Sequence, residues 1–303
     1  MSIPINNIIR SATRTNEPLN ILWFPYDGFF ETLLLPNLPH KFYGAHDIEC
    51  VPWDTNTSPP PENFYTLVAH NSLSLMIDYD VVVCQGKLKN YDKAIILAHN
   101  LHIPLILIEH LPPPDVVKTE DLFLLEREKK AHFYVATSKT VNQTWKVNYT
   151  LADYFFPLQK SYPKKDQILV YGKLENKEDL ILISEYSKLP VKVINTLENH
   201  TQEDYLNTLK ESKFYLNLNK DTILPTIYAM TFGCTPLHHE TPLLPEKRYY
   251  SFTSQNELIL LLKRIDNLQP IDNQQYITET FPISNLEKWN EIFNSIYNYV
   301  YTR

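Results

Sequence analysis

Residues 168–182 read ILVYGKLENKEDLIL. The apolar run from Ile168 to Tyr171 stops at Gly172, and Lys173 and Lys177 stand four positions apart at the mouth of the helical pattern that follows. A short continuous apolar run closed by glycine reads as a buried strand, and the change of spacing after it reads as a helix. Two ammonium groups beside a helix N-terminus suit a diphosphate, because the free N–H groups and the helix dipole favour negative charge there. A solvated charged turn is the competing reading, since lysines at helix starts are common.

The same alternation extends in both directions. Toward the C-terminus, VKVIN (191–195), FYLNL (214–218) and TPLHH (235–239) read as strands, with helices at about 177–187, 202–211 and 224–232 between them. Toward the N-terminus, ILWFPY (21–26), DYDVVVCQG (78–86), IPLILIEH (103–110) and FYVATS (133–138) are the strands. Helices are predicted after the Asp27-Gly28 turn, over 91–102, over TEDLFLLEREKKA (119–131) and at about 139–146. Near-continuous apolar strands alternating with helices predict parallel sheets covered on both faces.

The pattern restarts after FPLQKSYPKKDQ, which predicts two doubly wound α/β domains, 1–157 and 158–285, followed by a terminal helix, 286–303. In that helix Leu286, Trp289, Phe293, Ile296, Tyr297 and Val300 share one face, so it is expected to pack back on the body. Ligands of open parallel sheets bind beyond the carboxyl ends of the strands. Two such domains are expected to face each other across a cleft, and functional residues are sought just after strands.

Composition narrows the options. The chain has 303 residues, 44% apolar and 21% charged, with a net charge of −7. That argues against a general nucleic-acid coat or a polybasic membrane binder. Its five glycines are Gly28, Gly44, Gly86, Gly172 and Gly233, too scattered for a G-x-G-x-x-G fingerprint, a Walker A loop or a G-x-S-x-G elbow. Cys50, Cys84 and Cys234 fit neither a disulfide framework nor a zinc site, which suggests a reducing compartment. The polar start MSIPINNIIRSATRTNEP lacks a signal peptide's apolar core, and no apolar run is long enough to span a bilayer. The expectation is a cytoplasmic protein without membrane insertion.

A second segment, FYLNLNKDTILPTIYAMTFGCTPL (214–237), runs from strand through polar loop and helix to a new strand, with Gly233 where a helix C-cap glycine belongs. Together with residues 168–182 it resembles the nucleotide-sugar half of GT-B glycosyltransferases, particularly the large retaining family usually numbered four. That family's Gly-Arg-Leu-x-x-x-Lys is matched by Gly172, Lys173, Leu174 and Lys177, with Lys in place of Arg. Its Glu-Ala-Met-Ala-x-Gly-x-Pro is matched through Ala229, Met230, Gly233 and Pro236. The opening ILWFPYDGFFETLLLPNLPHKFYG is similar to that of phage-encoded members.

The resemblance implies a two-domain GT-B fold and a nucleotide-sugar donor, UDP- or GDP-linked, used without metal or other cofactor. It implies an acceptor that is a glycan or a modified base of phage DNA, and retention of configuration. It places Gly172, Lys173, Lys177, Lys220, Thr222 and Tyr228 at the donor, and His110 and Asp221 near the transferred sugar. The family's paired glutamates correspond to Lys220 and Tyr228, so Asp221 would supply the first carboxylate and the Tyr228 hydroxyl a donor to ribose. A non-catalytic module on the same scaffold is the alternative, and a sugar-nucleotide epimerase of similar fold a third.

Other constellations weigh less. Asp78-Tyr79-Asp80 matches D-x-D but precedes its strand instead of following it, so it reads as a polar lead-in. His238-His239-Glu240 and the pair His99 and His102 lack the further ligands of a metal site. Glu109 and His110 close an apolar strand, where His110 is a candidate for sugar or acceptor contact. Asp27, Glu31 and Glu109 are candidates for the acceptor side.

Overall fold

The structure is a computed structural model, described for residues 17–25, 28–45, 55, 57–66, 77–85, 88–110, 131–145, 150–160, 162–172, 177–195, 198, 200–218 and 223–301, without the side chains of 88–90, 144–145, 177, 179 and 298–301. It divides into two compact units. The first holds Met1–Pro52, Pro60–Phe155 and Ile283–Arg303, and the second Trp53–Pro59 and Phe156–Pro282. Apart from the short piece Trp53–Pro59, the chain enters the second unit at Phe156 and returns at Ile283, and the terminal helix counts with the first.

The first unit carries a seven-stranded sheet, β1 (Asn20–Phe24), β2 (Lys41–Gly44), β3 (Phe64–Thr66), β4 (Val81–Gln85), β5 (Leu105–Glu109), β6 (Phe133–Ala136) and β7 (Thr150–Leu151), in the order β3-β2-β1-β4-β5-β6-β7. All its pairings are parallel. Every residue of β4 and β5 is buried, as expected of strands covered on both faces. On one face Leu22, Val82, Cys84, Leu105 and Leu107 pack against Tyr91, Ala94 and Ala98 of α2 (Leu88–Leu101). On the other, α1 (Phe29–Leu34) and α9 (Asn285–Tyr301) bring aromatic rings together. Phe30 meets Trp289 at 5.7 Å between centroids, and Phe42 meets Phe293 at 6.3 Å. The terminal helix therefore packs back on its own unit, as its apolar face predicts. A last short helix, α3 (Lys139–Trp145), follows β6.

Asp80 leads into β4, and its Oδ2 accepts from the backbone of Asn20 at 2.7 Å, the structural role read for the D-x-D match. α2 ends in a Schellman motif, Ile103 N to Ala98 O at 3.1 Å and His102 N to His99 O at 3.2 Å. His102 occupies the left-handed cap position, with φ of 56°. The helix predicted over 119–131 lies outside the described residues.

The second unit carries β8 (Lys165–Gly172), β9 (Val191–Asn195), β10 (Ser212–Asn217), β11 (Thr235–His239) and β12 (Tyr250–Phe252), in the order β12-β11-β10-β8-β9, again with parallel pairings throughout. One face buries Ile168, Val170, Phe214, Leu216 and Leu237 under Ile183 of α4 (Lys177–Tyr186) and Leu258, Leu261 and Leu262 of α7 (Gln255–Lys263). The other face is covered by α5 (Gln202–Glu211) and α6 (Leu224–Thr231), and a short α8 (Gln274–Thr280) follows. A reciprocal capping box starts α5: Thr201 Oγ1 accepts from Asp204 N and Asp204 Oδ2 from Thr201 N, both at 3.1 Å. α6 closes in the same Schellman geometry as α2, with Gly233 at φ of 80°, the cap glycine read from sequence.

The sequence reading assigned no strand to 41–44, 64–66, 150–151 or 250–252, and no helix to 255–263 or 274–280. The strands among these are short pieces of two to four residues, three of them at sheet edges, below the length at which alternation registers.

Candidate functional site

In the five-stranded sheet the chain adds β9 on one side of β8 and then crosses to build β10, β11 and β12 on the other. The reversal lies between β8 and β10, the place where loops diverge and leave a crevice beyond the carboxyl ends. Asn217 pairs with Tyr171, and Leu218 N donates to Tyr171 O at 3.3 Å, so the two strands release the chain side by side. Gly172 leaves β8 with φ of 142°, which side chains rarely permit, and turns the chain toward α4. Beside it Asn217 donates from Nδ2 to Thr226 Oγ1 at 3.0 Å, tying the end of β10 to the first turn of α6.

Of the donor-side residues named from sequence, Gly172 stands at this crevice. Lys177 opens α4, though its side chain lies outside the described residues, as do Lys173, Lys220, Asp221 and Thr222. In sequence Lys173 directly follows Gly172, and Lys220 comes two positions after Leu218. Tyr228 lies on α6 with its ring edge-on to Phe232 at 5.2 Å. Burial pushes its phenol up to about 12, so at neutral pH it carries a proton and can donate.

Farther along the same carboxyl edge, beyond β11 and β12, a cavity of about 730 Å³ opens among His239, Glu240, Pro242, Glu246, Tyr249 and Phe252. The sequence reading named none of these as ligand-binding. They come from the end of β11, the connection that follows it and the end of β12, which are adjacent only once the sheet is formed.

The carboxyl edge of the seven-stranded sheet is arranged differently. His110, just past β5, is 3% exposed. Its Nε2 lies 2.5 Å from Gln85 Oε1 at the end of β4, and its Nδ1 2.7 Å from the Tyr154 hydroxyl. With a carbonyl oxygen facing Nε2, the neutral ring carries its proton there and Nδ1 accepts from Tyr154. The Tyr154 oxygen in turn accepts from Thr137 Oγ1 at 3.0 Å. Phe30 sits edge-on to the imidazole at 4.7 Å. Both ring nitrogens are thus engaged inside the first unit.

Glu31 is fully buried in the first turn of α1, where its carboxylate accepts from Trp23 Nε1 at 3.1 Å and Gly28 N at 2.8 Å. It binds α1 to the end of β1. Glu109 is 2% exposed at the last position of β5. Asp27 lies outside the described residues. His110, Glu31 and Glu109 therefore share one sheet edge, and the structure holds them in internal contacts.

His238 is buried, with Nδ1 2.7 Å from His239 O. Among the described residues no group of three or more His, Cys, Asp or Glu could hold a metal ion, and no helix is long and apolar enough to cross a membrane.

No family model matches the sequence, and no curated protein matches it. Solved structures do share the fold. A UDP-N-acetylglucosamine 2-epimerase is 14% identical with a TM-score of 0.55, over 94% of this chain and 98% of that one. A UGT of Phytolacca americana, complexed with UDP-2-fluoro-glucose and pterostilbene, is 11% identical with a TM-score of 0.56, over 93% and 100%. The MnaA–UDP structure from S. aureus is 15% identical with a TM-score of 0.51, over 95% and 97%. At these identities the likeness is one of fold: the chain is a two-domain α/β protein of GT-B-like architecture.

Proposed function

We propose that the chain is a nucleotide-sugar-dependent glycosyltransferase, moving a hexose from a nucleoside diphosphate to an acceptor hydroxyl with retention of configuration. The observation that carries this reading is the reversal between β8 and β10, where Gly172 and Leu218 release the chain side by side. Sequence places Lys173 and Lys177 after one exit and Lys220, Asp221 and Thr222 after the other. The family-four and phage-like resemblance supports the same reading, as does the likeness to folds solved with UDP and UDP-2-fluoro-glucose.

In this reading Lys173, Lys177 and the N-terminus of α4 hold the diphosphate. As the bond from the sugar's anomeric carbon to the diphosphate oxygen breaks, charge grows on the leaving group, and these fixed positive ends stabilise it. Lys220 and Thr222 line the donor, Asp221 faces the sugar, and the protonated Tyr228 donates to ribose. On the acceptor side Asp27 would contact the incoming hydroxyl, while Glu31, Glu109 and His110 shape the edge it approaches. The acceptor is a glycan or a hydroxylated base of phage DNA, and the setting a cytoplasm.

Thermal-shift screening against UDP, GDP, ADP and their sugars should find a nucleotide that stabilises the fold. A Lys173→Ala, Lys177→Ala double variant should then lose turnover on the order of 100-fold or more. Undiminished turnover in that variant refutes the diphosphate role. Product formed from the donor with no acceptor present would instead favour an epimerase.

One observation favours a second reading. Tyr228 stands where the resembled family has a glutamate, and a phenol held protonated cannot accept hydrogen bonds as a carboxylate does. A non-catalytic nucleotide-binding module would show the thermal shift without turnover.

A further inference from the structure

Two touching helices of the second unit, α4 and α7, carry an apolar outer face that the donor reading does not use. We propose that a second copy of the chain docks on this face, with each copy's α4 lying along its partner's α7 about a two-fold axis. The inference is independent of what the protein binds or transfers.

α4 holds the run Leu180-Ile181-Leu182-Ile183, and α7 the run Leu258-Ile259-Leu260-Leu261-Leu262. Ile183, Leu258, Leu261 and Leu262 face the sheet. Runs of four and five apolar residues are wider than one helix face, so part of each points outward. Ile181 is 63% exposed and Leu260 60%, more than any other large apolar residue among those described. A single such side chain on a surface needs no explanation, but here two adjoin. Both helices follow strands of one parallel sheet and cover the same face of it, so they run side by side in one direction. Their C-terminal turns are level, since the Lys263 ammonium lies 4.9 Å from the centre of the Tyr186 ring. Ile181 stands five residues before Tyr186 and Leu260 three before Lys263. At about 1.5 Å of rise per residue, the two are within roughly one turn of each other along the helices.

Charge selects the second copy and its orientation. On α4, Glu178 and Glu185 flank Ile181 at helical spacing, and both are exposed. On α7, Lys263 and Arg264 stand beyond Leu260 at the same spacing, also exposed. Among the described residues Glu185 and Arg264 form no ion pair inside the chain, which leaves both charges for a partner. With α4 laid along the partner's α7 in the same direction, Ile181 meets the partner's Leu260 and Glu185 meets the partner's Arg264. The two-fold axis repeats each contact on its other side. The other two-fold arrangement sets α4 against its own copy in reverse, and stacks Glu178 on the partner's Glu185, which like charge opposes. Glu257, the acid at the start of α7, is held within its own chain, where Oε2 accepts from Thr253 N at 2.7 Å and Thr253 Oγ1 at 2.8 Å.

Size sets the strength. Two short helices packed about 10 Å apart present on the order of 300 Å² a side, under half of a standard stable interface. The dimer is therefore weak and reversible, formed at micromolar concentration or above.

Sedimentation velocity on the full chain, from low to high micromolar concentration, tests this. The average mass should rise from one copy toward two. An Ile181→Ser, Leu260→Ser variant should stay a single copy throughout, and because both positions are exposed its circular dichroism should match the parent. Glu185→Arg acts at two contacts of a symmetric dimer and should weaken it about tenfold. Adding Lys263→Glu and Arg264→Glu to that variant should restore the association. A single copy at every concentration overturns the proposal, as does a dimer that survives the double serine variant. A dimer blind to Glu185→Arg, or not restored by the charge swap, overturns it too, because the α4-on-α7 pairing rests on those charges.

Discussion

Both sheets are wholly parallel, and the described residues at their carboxyl edges are arranged in different ways. In the first unit the edge is closed from within: Gln85, His110, Tyr154 and Thr137 form one hydrogen-bonded chain, and the Glu31 carboxylate is taken by Trp23 and Gly28. In the second unit the described residues of the edge include Gly172 at positive φ beside the reversal and a cavity with two exposed carboxylates. A parallel sheet guarantees a crevice at its switch point, and side chains decide whether the protein or a ligand fills it. A buried polar network gives rigidity only if its members stay partnered.

The largest expected effect concerns polar burial in the first unit. His40 is 3% exposed beside Phe42 and Phe293, and burial pushes its imidazole down from 6.5 to about 4. Above pH 6.5 both folded and unfolded chains hold it neutral; as pH falls toward 4 only the unfolded chain takes up the proton. Stability from this group is therefore complete above the unfolded pKa and declines by about 3 kcal/mol over that window. Urea unfolding between pH 7 and pH 4 should show the decline, and His40→Phe should flatten it; an equal slope in that variant would place the effect elsewhere.

A matched pair of substitutions addresses the two edges directly. Glu31→Gln turns an amide N–H₂ toward one of two buried donors and should cost about 2 kcal/mol. Glu240→Gln, on the exposed edge, should stay within about 0.5 kcal/mol of the parent. Equal losses by chemical denaturation would erase the distinction between the two edges.

The smallest effect compares helix ends. α2 and α6 close in the same Schellman geometry, but α2 places His102 and α6 places Gly233 in the left-handed position. His102→Gly should gain about 1 kcal/mol and Gly233→Ala should lose about as much. A loss on His102→Gly, read as a lower melting temperature, would mean the imidazole does more than cap.

The fold was legible where apolar runs were long. The fully buried β4 and β5 fall within the runs read at 78–86 and 103–110, and the strands of 191–195 and 235–239 and the helix of 202–211 fall on the residues read from sequence, the helix opening on the Thr201–Asp204 capping box. Three of the four unassigned strands, β3, β7 and β12, are short edge strands of two or three residues. One signal was present and not used: Ser254-Gln-Asn-Glu257 opens α7 as a capping pattern, with Ser254 Oγ accepting from Glu257 N at 3.4 Å. The candidate site was legible only as far as residues follow strands, which placed Gly172 and His110. That His110 would be enclosed by Gln85 and Tyr154 depends on contacts across the sheet edge that no local pattern encodes. The cavity of Glu240 and Glu246 likewise needs the pairing of β11 with β12 before it exists.

One further feature sets what each half can tolerate. The second unit's main segment begins at Phe156 and ends at Pro282, and near these ends Phe156 N donates to Phe281 O at 3.1 Å, with the two rings 5.6 Å apart. The segment is cinched at its own base. Loop closure is a cost that grows slowly with length, and here the inserted piece meets it with its own first and last residues. Lengthening, shortening or re-tailoring the loops inside it leaves the spacing of its two ends untouched, so such changes can accumulate there without asking the host half to readjust.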